Sequence, residues 1–333
     1  MKALFIGGTG IISTSSSRLA VAKGMDLYLL NRGTRPVSIP GATVIRADIS
    51  KPAEVAQAIA GHAWDAVVNW IAFGPEDIER DLKLFAGKTR QYLFISSASV
   101  YQKPARQPVV TESTPLCNPF WDYSRNKIAC EERLMKAYRE IGFPMTVVRP
   151  SLTFNDTNIP LAIGCWTDYT MIDRMKKGKP VIVHGDGTSV WTITHADDFA
   201  KGLVGLLGHP AAIGEAFHIT SDELLTWDAI YEITGEAAGA KANIVHIPSD
   251  FIAGLDAYQK GNLLGDKAAS LIFDNTKIKR FVPEFRATIP FHVGIRRTLA
   301  WFEAEPGRMK ILDGNNAFVD RVIGLYQKAI AQV

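Results

Sequence analysis

A chain of 333 residues, 47% hydrophobic and 21% charged, is neither disordered nor fibrous in composition and fits one large domain or two interleaved lobes. Its 37 Lys and Arg against 34 Asp and Glu leave a net charge of +3 with no basic run, so a nucleic-acid surface is not expected. Cys117, Cys130 and Cys165 are odd in number and lack metal-ligand spacing, and no apolar run is long enough to span a bilayer, so free thiols, no metal, no membrane and a cytoplasmic setting are expected.

In chain order, Ala3–Ile6 reads as a buried strand, too short for a secretion signal before glycines interrupt it. A helix follows around Ser15–Lys23, then strands at Asp26–Leu30 and Thr43–Ala47. Lys51–Ala60 is helical, with Pro52 near its start, where a missing N–H costs nothing. Strand Asp65–Asn69, helix Glu76–Phe85, strand Tyr92–Ser96, long helix Asp122–Ile141 and strand Met145–Val148 complete the first half. This alternation is that of a parallel sheet with crossover helices. After Arg149-Pro150 the rhythm breaks: Thr153–Pro160 is polar and turn-rich, and later segments are shorter, which predicts a second, smaller lobe.

The first strand runs directly into Gly7-Gly8-Thr9-Gly10-Ile11-Ile12-Ser13 and a helix. Glycines there permit a tight turn and let backbone N–H groups approach a pyrophosphate at the positive end of the helix. Gly7, Thr9, Gly10, Ile11 and Ile12 are thus the expected dinucleotide contacts. Ser13 stands where a third glycine usually allows close helix–strand packing, and implies a slightly wider contact. The fold class expected is α/β, a Rossmann doubly wound parallel sheet with a smaller C-terminal α/β lobe. Residues 1–152 plus about 192–215 would form the dinucleotide-binding part, and 153–191 plus about 216–333 the substrate lobe.

The second strand ends in Asn31-Arg32-Gly33-Thr34-Arg35, without the carboxylate that accepts the adenosine ribose hydroxyls of NAD. A guanidinium grips phosphate through two bonds, so NADP(H) is favoured over NAD(H), with Asn31 and Arg32 as contacts. Asp48 and Ile49, after the third strand, are placed for the adenine, although Asp48 could equally cap the helix that follows.

Tyr123 and Lys127 lie four residues apart, hence on one helix face. A nearby cation favours the phenolate and would bring the phenol toward general-base use at neutral pH, although such a pair can also be incidental. Ser96-Ser97-Ala98-Ser99-Val100-Tyr101 ends a strand of the sheet, where ligands sit and a hydroxyl can hold a substrate oxygen. With Gly7-Gly8-Thr9-Gly10, Asp65–Asn69, Arg149-Pro150, Gly185-Asp186-Gly187 and Asp197-Asp198 in order, the chain resembles the extended short-chain dehydrogenase/reductases, the NAD-dependent epimerase/dehydratase family. The resemblance implies that Tyr123 is the acid/base, that Lys127 also holds the nicotinamide ribose, and that Ser97 is the catalytic hydroxyl. It also implies a homodimer through the helices Glu76–Phe85 and Asp122–Ile141.

Departures from the family pattern narrow the substrate. Trp191 falls where the family carries an Arg for a sugar nucleotide's diphosphate, and an indole cannot neutralise phosphate. Ala98-Ser99 replaces the Asp-Glu of the family's dehydratases, which disfavours dehydration. Ser99, Trp121, Asn155, Trp166 and Trp191 are the expected substrate contacts, aromatic platforms suiting sugar rings, while His184 and His195 read as structural. The function these residues predict is an NAD(P)-dependent epimerase or oxidoreductase acting at a secondary alcohol or ketone of a sugar-like small molecule. The alternatives are a simple NADPH-dependent carbonyl reductase and a non-catalytic, dinucleotide-sensing or RNA-associated regulator.

Overall fold

In a computed structural model describing residues 1–332, the first strand, β1 (Lys2–Ile6), sends alternate side chains to opposite faces of a sheet. Ala3 and Phe5 enter one core and Leu4 and Ile6 another, and all four are fully buried. A strand apolar on both faces belongs in the middle of a parallel sheet covered on both sides. β1 pairs in parallel with β2 (Asp26–Asn31) and, on its other edge, with β4 (Ala66–Asn69). Beyond them lie β3 (Thr43–Arg46), β5 (Tyr92–Ile95), β7 (Met145–Pro150) and β12 (Ala216–Ile219), in the order β12-β7-β5-β4-β1-β2-β3. All six pairings are parallel. The chain winds outward in both directions from the β1/β4 boundary, which opens a crevice at the carboxyl ends of these strands.

On one face, α1 (Ser13–Ala22) packs on α6 (Ala196–Leu206), and Phe199 and Leu203 meet Phe5 and Leu29. On the other, α2 (Pro52–Ala58), α3 (Pro75–Phe85) and α4 (Asp122–Ile141) bring Val55, Ile78 and Leu134 onto Leu4, Ile6 and Phe94. Local signals set the ends. Pro75 opens α3, whose Asp77 carboxylate accepts the N–H groups of Phe73 and Gly74, at 2.7 and 3.2 Å. Gly142 closes α4 at φ +65°, with its N–H on the Tyr138 carbonyl.

The rest builds a third core. It contains α5 (Thr170–Lys176), α7 (Trp227–Ala237), α8 (Ser249–Leu255), α9 (Ala257–Asn262), α11 (Phe291–Glu303) and α12 (Asp313–Ile330), whereas α10 (Thr276–Phe281) lays Ile278 and Phe281 on the Phe5 face of the sheet. Four strand pairs join it: β6 (Val109–Val110) with β15 (Ile272–Phe273), β8 (Leu152–Phe154) with β11 (Ile193–His195), β9 (Pro180–His184) with β14 (Asn243–Ile247), and β10 (Val190–Trp191) with β13 (Leu225–Thr226). Ile172, Val183, Trp227, Tyr231, Leu299 and Val319 centre this core. One difference from the expected layout is that Ala216–Ile219, assigned to the substrate lobe, is the seventh strand of the central sheet. Among the described residues no helix is long and apolar enough to cross a membrane.

Candidate active site

The glycine loop sits at the β1 end of the crevice. Gly7 and Gly8 adopt φ +99° and +90°, and a Cβ at Gly8 would lie 2.7 Å from Leu29 Cδ2, so neither turn nor packing admits a side chain there. Ser13 does more than widen the helix–strand contact: its hydroxyl accepts the Gly10 N–H at 2.7 Å. Thr14 and Ser17 donate to the carbonyls of Gly10 and Gly8, at 2.7 and 2.8 Å, so three α1 hydroxyls stiffen the loop. Asn155, expected at the substrate, instead donates to the Ile11 carbonyl at 3.0 Å and is a brace of this loop. A glycine-rich loop over a helix N-terminus fits a dinucleotide pyrophosphate.

Beside it, Arg35 Nη1 donates to the Thr9 carbonyl at 3.3 Å, and Arg46, paired in register with Asn31, lies 3.6 Å from the Cβ position of Gly33. The sequence reading missed Arg46 because its neighbour is on another strand. The Asn31 carboxamide is turned into its own loop, accepting the Gly33 N–H at 2.9 Å. Asp48 accepts the N–H and hydroxyl of Ser50, which together with nearby Arg32 hold its carboxyl below the ordinary carboxylate range. The capping alternative for Asp48 is thus nearer the structure, although the turn precedes α2 and the helix cap itself is Lys51. Ile49 packs its side chain against the α2 side of the core.

Three side chains converge at the crevice from β5 and α4. Ser97 follows β5 and Tyr123 opens α4, and both line one cavity of about 810 Å³. Lys127, one turn further, is buried, with Nζ donating to the carbonyls of Ala72 and Ile95 at 2.6 and 2.8 Å and lying 5.8 Å from the Tyr123 ring centre. A buried ion pair holds α4 against the strand ends: Glu131 accepts Arg149 Nη2 at 2.6 Å and the Ser96 hydroxyl at 2.5 Å.

Burial dominates the ionisation of the pair. It pushes the Tyr123 phenol up to about 12, with the Asp266 carboxylate adding to the rise and the Ser97 hydroxyl opposing it. It pulls the Lys127 ammonium down to about 8. The phenol is thus shifted away from neutrality, contrary to the expectation: desolvation dominates, and the Lys127 ammonium spends its hydrogen bonds on two backbone carbonyls. Ser99 lines the same cavity but is nearly buried, its hydroxyl sharing a 2.9 Å bond with Ser97 and accepting from Ser124 at 2.7 Å.

The far wall comes from a stretch the sequence reading did not single out. α9 is followed by one π-helical turn, Leu263–Lys267, a geometry common at functional sites. Gly261 lets it approach Trp121 so closely that a Cβ would lie 2.4 Å from the indole, and Asn118 donates to the carbonyls of Ser99 and Gly265, both at 2.7 Å. Trp121 and Trp166 line the cavity as expected, Trp121 lying 5.0 Å from the Tyr123 ring. Trp191 does not. It is fully buried in the third core, 6.0 Å from Trp227, because β10 pairs with β13 and turns the indole inward. His184 and His195 are buried, with Nε2 paired to the Lys267 carbonyl and to Asp156.

A doubly wound sheet, a glycine loop at its switch point and a strand-end serine facing a helical tyrosine and lysine form the frame of a short-chain dehydrogenase/reductase. The chain belongs to the NAD dependent epimerase/dehydratase family, whose model matches residues 3–220. It is 26% identical over 292 residues to a 2'-dehydrokanamycin reductase of Streptomyces kanamyceticus, covering 86% of this chain and 80% of that one. It is 27% identical over 267 residues to the chloroplast stem-loop binding protein of 41 kDa b of Arabidopsis thaliana, covering 75% and 67%. In fold it resembles the UDP-glucose 4-epimerase of Bifidobacterium longum solved with NAD+ and UDP, at a TM-score of 0.73, 20% identity and coverage of 92% and 100%.

Proposed function

We propose that the protein is a reductase of a ketone on a sugar-like ring, with Tyr123 as proton donor, Ser97 as the hydroxyl that holds the carbonyl oxygen, and Lys127 as the ribose-binding cation. The carrying observation is that the Ser97 and Tyr123 side chains share one cavity, with the Lys127 ammonium directly behind the phenol. A reduced nicotinamide cofactor, its pyrophosphate held by the glycine loop and its ribose by Lys127, would supply the hydride. The residues of the chain do the rest. Ser97 donates to the carbonyl oxygen, and Tyr123 releases its hydroxyl proton to the same oxygen as negative charge develops there. Burial keeps the phenol protonated, the form that reduction requires of a proton donor.

NADP(H) is the cofactor this reading prefers. Arg32, Arg35 and Arg46 surround the end of β2, where Asn31 stands in place of a carboxylate. The likeness to a 2'-dehydrokanamycin reductase over 86% of the chain also supports a reductase. A homodimer through α3 and α4 completes the reading. Its support is that α4 leaves Tyr138 and Ile141 exposed, the latter at 63%.

The test is oxidation of NADPH, followed at its nicotinamide absorbance, with keto-sugar substrates. Tyr123→Phe is expected to bind NADPH unchanged and to lose about 10²–10⁴-fold in turnover, the usual share of a general acid. Turnover retained in that variant would remove Tyr123 from the mechanism. A dinucleotide that co-purifies and resists exchange would favour an epimerase instead.

A further inference from the structure

The cavity wall opposite Tyr123 carries a carboxylate held in place from several sides. Asp266 lies on the π-helical turn and lines the cavity together with Ser97 and Tyr123. Its Oδ2 accepts Lys267 Nζ at 3.1 Å, while its Oδ1 has no protein partner among the described residues. The turn is fixed around it. The Asp266 carbonyl accepts Lys103 Nζ at 3.1 Å, and the Lys267 carbonyl accepts His184 Nε2 and Trp227 Nε1 at 3.1 and 3.2 Å. Lys267 Nζ also donates to Asn262 Oδ1 at 2.6 Å, so the ammonium is doubly engaged. A preorganised acceptor with one free oxygen is suited to hold a donor on a ligand.

The charges of the wall oppose phosphate. Among the described residues, Asp256 and Asp266 face the cavity against one ammonium, Lys267, which is already paired, and no guanidinium lines it. Lys103 lies outside the lining, its ammonium 5.6 Å from the buried Trp191 ring. A diphosphate placed here would lose its hydration without gaining a cationic partner. Trp121, Trp166 and Tyr258 also line the cavity and offer apolar faces to a saturated ring.

We propose that the substrate is a phosphate-free, saturated ring, a glycoside or cyclitol, that donates a hydroxyl or ammonium hydrogen to the free Asp266 oxygen. The assignment rests on the reductase reading for the position of the reacting carbon, and adds Asp266 as a specificity-determining residue.

Calorimetric titration of the NADP+-loaded protein tests it, with methyl glucoside, methyl glucosaminide, a 2-deoxystreptamine glycoside and UDP-glucose as probes. At least one of the three phosphate-free rings is expected to bind and UDP-glucose to give no heat; the order among the three identifies the donor as hydroxyl or ammonium. Asp266→Asn is expected to weaken ring binding by about tenfold or more, as for loss of a charge-assisted hydrogen bond. Its NADP+ affinity should stay at the wild-type value, and Asp266→Glu should restore part of the loss. UDP-glucose binding more tightly than all three rings, no binding of any ring at millimolar concentration, or wild-type ring affinity in a folded Asp266→Asn protein would overturn the assignment. Binding is read without turnover, so a ring held through Asp266 but never reduced counts against the reductase reading alone.

Discussion

Tyr123 and Lys127 are displaced in opposite directions by the same cause, loss of water, and this has consequences at two pH ranges. The ratio kcat/KM reports groups of the free enzyme. For reduction it is expected to hold through neutral pH and to fall above about 8, where Lys127 loses its proton. A Lys127→Met variant should lack that break and turn over about 10²-fold more slowly. Stability carries the sign of the same shift. The folded value of about 8 lies below the ordinary 10.5, so the unfolded chain holds this proton more tightly. Lys127 therefore costs stability below pH 8, and the cost fades as pH rises to 10.5. Denaturant unfolding of wild type and Lys127→Met across that window should show wild type gaining on the variant; a constant difference would mean the ammonium is not desolvated. The pairing of Tyr123 with Lys127 was legible from a spacing of four, a strand-end hydroxyl from the serines after β5, and the choice of Ser97 among them only from the family resemblance. The inversion of the phenol's ionisation was not, because burial depends on what the rest of the chain lays over it.

Among elements, the contrast between α4 and the π-helical turn shows what sequence carries. Asp122–Ile141 is bounded as expected, since its periodicity and terminal glycine are local properties. The wall formed by Leu263–Lys267 left no local signal: it lies more than a hundred residues from Trp121, and the room that Gly261 and Gly265 leave for the indole exists only once the two segments meet. Trp191 is the converse case, a residue placed by counting from Gly187 whose side chain is turned inward by a two-residue strand pair. Gly261→Ala tests the close approach directly. Its Cβ would meet Trp121 at 2.4 Å, so the indole or α9 must shift. A loss of about 1–3 kcal/mol in unfolding free energy is expected from such overpacking. Substrate KM should rise while NADPH affinity is preserved; if both remain unchanged, Trp121 does not shape the cavity.

For the molecule as a whole, the first 150 residues were readable because a parallel sheet buried on both faces imposes a repeated pattern, whereas the third core is assembled from pieces distant in sequence. Cofactor binding gives a readout of the entire fold. A ligand bound only to the native state at a hundred times its dissociation constant stabilises by about 2.7 kcal/mol. At equal concentrations NADPH is expected to raise the melting temperature more than NADH, and Arg35→Ala to narrow the gap; equal shifts would remove the arginines at the end of β2 from cofactor choice. Asn118 has a mechanical consequence as well. One carboxamide stitches the Ser99 carbonyl, beside the reacting groups, to the Gly265 carbonyl on the opposite wall. Because one side chain holds both ends, neither wall can be displaced relative to the other without breaking at least one of these two bonds.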